Sequence, residues 1–227
     1  GGLPVVRTLP WQYKAPFSPI DVIEEYIRPA RLVQNFEVVV KEALSEPELI
    51  EFENIGTLEA FNTDGLRSLI KTMPVKTMTE KTLRYVGHRE MIQSLKDAGM
   101  FSEETILLNG EMIKPLHVTA KVLLPQWKLL PGENEFTVMR IVVSGKENGR
   151  KKTYTYNLLD YYNAATKTSS MARTTGYTCT AVAHLVANGL FKKKGIIPPE
   201  MIGENETCFH FVLNYLKERD VIYNCKI

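Results

Sequence analysis

The sequence predicts an α+β protein in which antiparallel strand pairs are interleaved with helices, rather than the strict βαβα alternation of a parallel sheet. Three observations carry this. Residues 135–144 (EFTVMRIVVS) and 152–160 (KTYTYNLLD) are strongly β-prone and flank Asn148-Gly149, a dipeptide suited to a tight hairpin turn. Residues 31–43 read as two strands around Gln34-Asn35 or one bent strand, and 48–62 as a strand pair turning near Asn54-Ile55-Gly56. Between and after them lie segments whose apolar residues recur at helical spacing, including 206–218 with Phe209, Val212, Leu213 and Leu216 on one face.

Taken in order, Ser18-Pro19-Ile20-Asp21 has the form of a helix start: a hydroxyl cap, proline at the first helical position and an acid in the first turn. Val22, Ile23, Tyr26 and Ile27 make its apolar stripe, and Pro29 stops it. After the strand pairs, Thr63 or Asp64 caps a short helix carrying Leu66, Leu69 and Ile70. A strand spans 78–86, and a helix from Arg89 to Ala98 closes at Gly99. Pro115 opens a helix with Leu116, Val118, Val122 and Leu123 that Pro125 ends. Beyond the long hairpin, where Tyr154 and Tyr156 read as sheet-face packing, a helix from about Thr175 to Asn188 closes at Gly189. Pro198-Pro199 starts a loop or short turn, and 221–227 is a final strand.

Composition excludes several classes. At 227 residues and 44% hydrophobic content the chain has ample length for a real core. The formal charge of +2 is near balance, and the short runs Lys192–Lys194 and Arg150–Lys152 suit solvated ends or hairpin tips better than a nucleic-acid surface. No apolar run approaches the roughly 20 residues that span a bilayer. Three cysteines (Cys179, Cys208 and Cys225) without C-x-x-C spacing fit a reducing cytoplasm and argue against a disulfide frame or zinc site. The four histidines lie far apart, so no metal is expected.

Two stretches carry the chemistry, TLEAFNTDGLR (57–67) and EKTLRYVGH (80–88). Each sets a lone arginine beside glycine, threonine and aromatic residues at a strand–helix junction, where a planar guanidinium can hold a carboxylate bidentately. That points to a small acidic ligand such as an amino acid. Arg84 is the first candidate, with a local ion pair to Glu80 as its structural alternative. Arg67 is the second, and reads mainly as a partner of Asp64. Thr63 and Asp64 either cap the helix or turn free backbone N–H groups and the Thr63 hydroxyl towards a ligand. His88 either packs at its helix start or moves a proton.

Several separated stretches in the same order resemble the saccharopine dehydrogenase family, and within it the L-lysine 6-dehydrogenase-like branch. They are GGLP (1–4), YKAPFSPIDVIEEYIRPA (13–30), LEAFNTDGLR, TLRYVGH and SMARTTGY (170–177). The resemblance weakens in 100–130 and after 200. It implies one mixed, largely antiparallel sheet with helices on one face and the other face helping to form a homodimer. It implies that 1–227 is the substrate-binding and dimerisation domain of a cytoplasmic dehydrogenase using NAD or NADP, acting on L-lysine or saccharopine. Such enzymes carry a Rossmann domain, but no G-x-G-x-x-G occurs here. The chain is therefore expected to lack that domain, to bind no cofactor by itself and to be inactive alone. The helix near 175–188 would pack against the missing domain.

The resemblance also distributes roles. Arg84 would reach the substrate carboxylate. Gly1, Gly2, Leu3 and Pro4 would border the pocket beside the nicotinamide. Tyr13 and Phe17 would flank a pocket wall, and Thr174 and Thr175 would lie in the stretch returning towards the cofactor domain. Thr178 stands where relatives often have proline, which leaves that turn open. The competing functional reading is a non-catalytic amino-acid-binding or dimerisation module.

Overall fold

The computed structural model describes residues 1–15 and 19–227. The chain divides into two compact units, one of Gly1–Val5 with Asn134–Ile227 and one of Val6–Glu133. Strand β1 (Gly2–Pro4) opens the first unit. The second unit then runs α1 (Pro19–Ile27), β2 (Ala30–Gln34), β3 (Glu37–Lys41), β4 (Glu48–Phe52), β5 (Gly56–Asn62), α2 (Leu69–Thr72), β6 (Thr77–Met78), β7 (Lys81–Tyr85), α3 (His88–Asp97), β8 (Ile106–Leu108), β9 (Glu111–Ile113) and α4 (Pro115–Trp127). The chain returns to the first unit with β10 (Glu135–Glu147), β11 (Arg150–Tyr161), α5 (Ser170–Ala187), α6 (Pro199–Gly203), α7 (Glu206–Lys217) and β12 (Tyr223–Lys226).

The α+β class with antiparallel pairing holds. In place of a single sheet, the strands of the described residues form four: β1-β10-β11-β12, β3-β2-β6, β4-β5-β7 and β8-β9. In the Val6–Glu133 unit, the β2–β3 turn places Asn35 and Phe36 at φ of 52° and 68°, and Asn54 supplies the left-handed position before β5. The second turn falls where Asn54-Ile55-Gly56 places it, and the first falls one residue later than expected, because Gln34 still pairs with Glu37. The predicted stripe of α1 faces inward, where Val22, Ile23 and Tyr26 pack with Tyr13, Phe61, Ile92 and Trp127. Fully burying each such side chain stabilises the unit by about 1.5–3 kcal/mol. The Ser18 cap and Phe17 lie outside the described residues.

Several boundaries differ from those the sequence predicts. Neither Thr63 nor Asp64 caps α2, which starts at Leu69 after Ser68. Helix α4 opens at Pro115 as expected but continues through Pro125, because Trp127 is fully buried and its carbonyl receives the Ala15 N–H. Helix α5 starts at Ser170, ahead of Thr175, with the Ser169 hydroxyl accepting the Ala172 N–H at 3.1 Å. Its polar first turns are helical because Arg173 buries against Asp160, a partner on another element. The single strand expected over 78–86 divides into β6, which pairs with β2, and β7, which pairs with β5; strands β1, β8 and β9 and the short α6 are additional elements.

In the other unit, β10 and β11 pair along their lengths to Glu147↔Arg150, with Asn148 and Gly149 both at positive φ. Strand β12 pairs with β11, and Leu158, Leu216 and Val221 pack beneath. Met139, Ile141, Val142 and Val143 of β10 remain exposed. The three cysteines are free. Among the described residues no helix is long and apolar enough to cross a membrane, and no cluster of His, Cys, Asp and Glu could hold a metal ion.

Candidate functional site

Strand β5 pairs with β7 in the register Phe61↔Thr82 and Asn62↔Lys81. The chain leaving β5 at Thr63 therefore runs beside the start of β7, where Glu80 and Thr82 stand. Helix α1 contributes Glu25, and Arg28 follows directly after the helix, across from them. Together with Thr63, Asp64 and Arg67, these residues line a small cavity of about 90 Å³.

The wall is built by exact hydrogen bonding to two of its carboxylates. Asp64 takes Arg31 of β2 in a bidentate fork, Nε at 2.9 Å and Nη2 at 2.8 Å. That guanidinium holds the Asp64 carboxyl below its ordinary range. Glu80 accepts the Thr63 hydroxyl at 2.8 Å and the Gly65 N–H, while Thr63 also bonds Thr82 at 2.9 Å. Glycine at 65 leaves room for the end of the Glu80 side chain. A Cβ there would lie 2.4 Å from Glu80 Cδ and 2.5 Å from its Oε2. Burial, reinforced by Glu25, pushes the Glu80 carboxyl up, against the pull of its two donors.

Arg67 is the accessible guanidinium of this wall. Its side chain is 60% exposed, and it reaches Asp64 only at 3.7 Å. The principal partner of Asp64 is thus Arg31, not Arg67 as the sequence suggested. Arg67 also holds a backbone φ of 51°, a left-handed conformation that disfavours a non-glycine residue.

Arg84 occupies different surroundings. It is 3% exposed, and its Nε donates to the Tyr26 hydroxyl at 3.0 Å, Nη1 to the Leu83 carbonyl at 2.9 Å and Nη2 to Glu25 at 3.4 Å. Its guanidinium lies 4.6 Å over the Tyr13 ring. The Glu80 pairing considered for it is absent, since Glu80 turns to Thr63 and Gly65. Arg84 reaches the cavity through Glu25, whose carboxylate it positions.

His88 is fully buried beside it. Its Nδ1 lies 2.8 Å from the Trp11 carbonyl, which can only accept, so the proton sits on Nδ1. Nε2 is then bare and accepts the Tyr26 hydroxyl at 3.0 Å. Burial and the nearby Arg84 charge push the His88 pKa down to about 3, so the ring is neutral. With both nitrogens bonded in the core, His88 is a structural hub joining Trp11, Tyr26 and, through Tyr26, Arg84. Tyr13 packs in the same core, where burial raises its phenol. It lines the aromatic box rather than the cavity.

The remaining candidates belong to the other unit. Gly2, Leu3 and Pro4 form β1, paired Gly2↔Thr137 at the sheet edge, with Gly1 flanking it and Leu3 fully buried. The Thr174 hydroxyl donates to the Ser170 carbonyl at 3.0 Å, and that of Thr175 to Met171. Thr178 donates likewise to Thr174, so the helix runs through the position that departs from the family pattern. The structure thus brings Thr63, Asp64 and Arg67 to one cavity and Tyr13, Arg84 and His88 to one core. Sequence reasoning missed Glu25, Arg28 and Arg31, and met Glu80 only as a partner for Arg84. No local pattern marks them, because their roles arise from α1, β2 and β7 converging.

Comparison with known proteins matches residues 1–222 to the saccharopine dehydrogenase C-terminal domain family. The carboxynorspermidine synthase of Vibrio alginolyticus is 25% identical over 164 residues, covering 67% of this chain and 38% of that protein. The carboxynorspermidine synthase of Vibrio cholerae is 27% identical over 162 residues, with the same coverage of 67% and 38%. The chain therefore spans well under half the length of these relatives. Among solved structures, apo saccharopine dehydrogenase (L-Glu forming) from Saccharomyces cerevisiae aligns with a TM-score of 0.78 at 17% identity, over 99% of this chain and 65% of that one.

Proposed function

The chain belongs to the saccharopine dehydrogenase C-terminal domain family, and from that premise we propose that it forms the substrate-binding and dimerisation part of an NAD(P)-dependent dehydrogenase acting at a nitrogen-bearing carbon of an amino acid. The observation that carries this is the cavity of the Val6–Glu133 unit, where accessible Arg67 faces the same space as Glu25 and Glu80. A ligand with a carboxylate at one end and an amine at the other matches both signs. The planar fork of Arg67 takes the carboxylate, and the acids take the ammonium.

L-lysine, saccharopine and a carboxylated polyamine, the product type named for the Vibrio relatives, all have that character. NAD or NADP, when bound, accepts or returns the hydride. These 227 residues contain no G-x-G-x-x-G turn, and the opening glycines flank and form a paired strand, so they do not fit as its pyrophosphate cradle. What this chain contributes is binding, orientation and proton handling. The exposed apolar residues of β10 suit pairing with a second copy, and the enzyme works in the cytoplasm.

The test is a substrate screen on the full-length protein, following NAD(P)H absorbance with L-lysine, saccharopine and carboxynorspermidine. Turnover of one of them supports the reading. Tight binding of all three without turnover favours a non-catalytic module instead.

A further inference from the structure

Glu80 differs from every other carboxylate of the cavity. Asp64 is neutralised by the Arg31 fork, and Glu25 is held by Arg84 at 3.4 Å. Among the described residues no lysine or arginine lies within ion-pair distance of Glu80. It is instead fixed by two neutral donors, the Thr63 hydroxyl and the Gly65 N–H. The bare glycine at 65 is what lets the carboxyl come so close to the loop backbone. A carboxylate that is oriented, partly buried and without a lysine or arginine ion-pair partner, on the wall of a cavity of about 90 Å³, has the properties of a proton acceptor awaiting an ammonium.

Resting on the substrate reading above, we propose that Glu80 is the general base that takes the proton from the substrate ammonium. In that step a substrate N–H bond breaks and a Glu80 O–H bond forms. The neutral amine keeps the lone pair that the carbon–nitrogen bond needs when hydride leaves the adjacent carbon for the nicotinamide. Thr63 and Gly65 are positioning groups: they aim the carboxylate but do not exchange the proton. The charged groups that line the cavity with Glu80 are Glu25 of α1, Arg28 directly after that helix, and Asp64 and Arg67 of the loop. Of these, Glu25 works with burial to raise its carboxyl, towards the range in which a base is effective at neutral pH.

The experiment uses the full-length protein with saccharopine as the probe and compares wild type, Glu80→Gln and Arg67→Ala. Glutamine keeps an oxygen for Thr63 and Gly65 and removes a buried charge, so the variant should fold, as its melting curve will show. Glu80→Gln should lower kcat by about 10²–10⁴-fold. The acid limb of the wild-type pH–rate profile should vanish with it. Calorimetric titration of saccharopine in two buffers of different ionisation enthalpy gives a second readout. Wild type should release protons on binding at acidic pH, and Glu80→Gln should not. Glu80→Asp, with its carboxylate drawn back, should restore part of the rate and the acid limb. A Glu80→Gln enzyme that keeps both its rate and its acid limb overturns the base assignment while leaving the cavity in place. Wild-type affinity in Arg67→Ala overturns the cavity reading itself.

Discussion

Replacing Tyr26 by phenylalanine removes one oxygen and leaves the ring that packs against Trp127 and Phe61. That oxygen has two partners, Arg84 Nε and His88 Nε2, each at 3.0 Å. Both partners are buried, Arg84 at 3% exposure and His88 at 0%, so water does not replace the lost hydroxyl. Each buried group left without a partner costs about 1–3 kcal/mol, with the charged guanidinium at the upper end. The substitution should therefore destabilise the Val6–Glu133 unit by about 2–6 kcal/mol. Urea unfolding followed by tryptophan fluorescence reads this unit directly, because both tryptophans of the chain, Trp11 and Trp127, lie in it. A loss below about 1 kcal/mol would refute the hub formed by Tyr26, Arg84 and His88.

Gly65→Ala should leave most of the stability intact, since the colliding atoms are the flexible end of Glu80, at a cost of about 1–3 kcal/mol for displaced hydrogen bonds; saccharopine turnover should nevertheless fall at least tenfold, and unchanged kinetics would show that Glu80 need not sit where it does. Stability should decline as pH drops from about 6.5 towards 3, because over that interval the unfolded chain protonates His88 and the folded one does not. The slope from this residue approaches about 1.4 kcal/mol per pH unit, and urea titrations of His88→Gln should lose that component. Val142→Glu on the exposed ribbon should shift sedimentation equilibrium from dimer to monomer at tens of micromolar, and a wild-type monomer would remove the ribbon as an interface.

Local chemistry made much of the fold legible. Asn148-Gly149 set the long hairpin, Pro115 set the start of α4, and the 3.6-residue stripe of α1 set which face is buried. The elements that escaped notice either depend on distant partners or are short. Strand β1 exists because β10 pairs with it, and the first turns of α5 are helical because Asp160 waits for Arg173. The site was legible in part for the same reason. The stretch TLEAFNTDGLR identified the wall, with Thr63, Asp64 and Arg67 in it. Arg67 is exposed and Arg84 is buried, a difference that sequence does not report. Arg84 looked free beside a strand, yet Tyr26, Leu83 and Glu25 already take its donors. The partner of Asp64 lay 33 positions away on β2, beyond any local pattern.

The central claim is that the cavity of the Val6–Glu133 unit is where the substrate sits. A crystal structure of the full-length protein with saccharopine bound tests it most directly. The ligand carboxylate should lie about 3 Å from the Arg67 guanidinium and the ligand amine within hydrogen-bonding distance of Glu80. Saccharopine bound elsewhere, with solvent between Arg67 and Glu80, would contradict it.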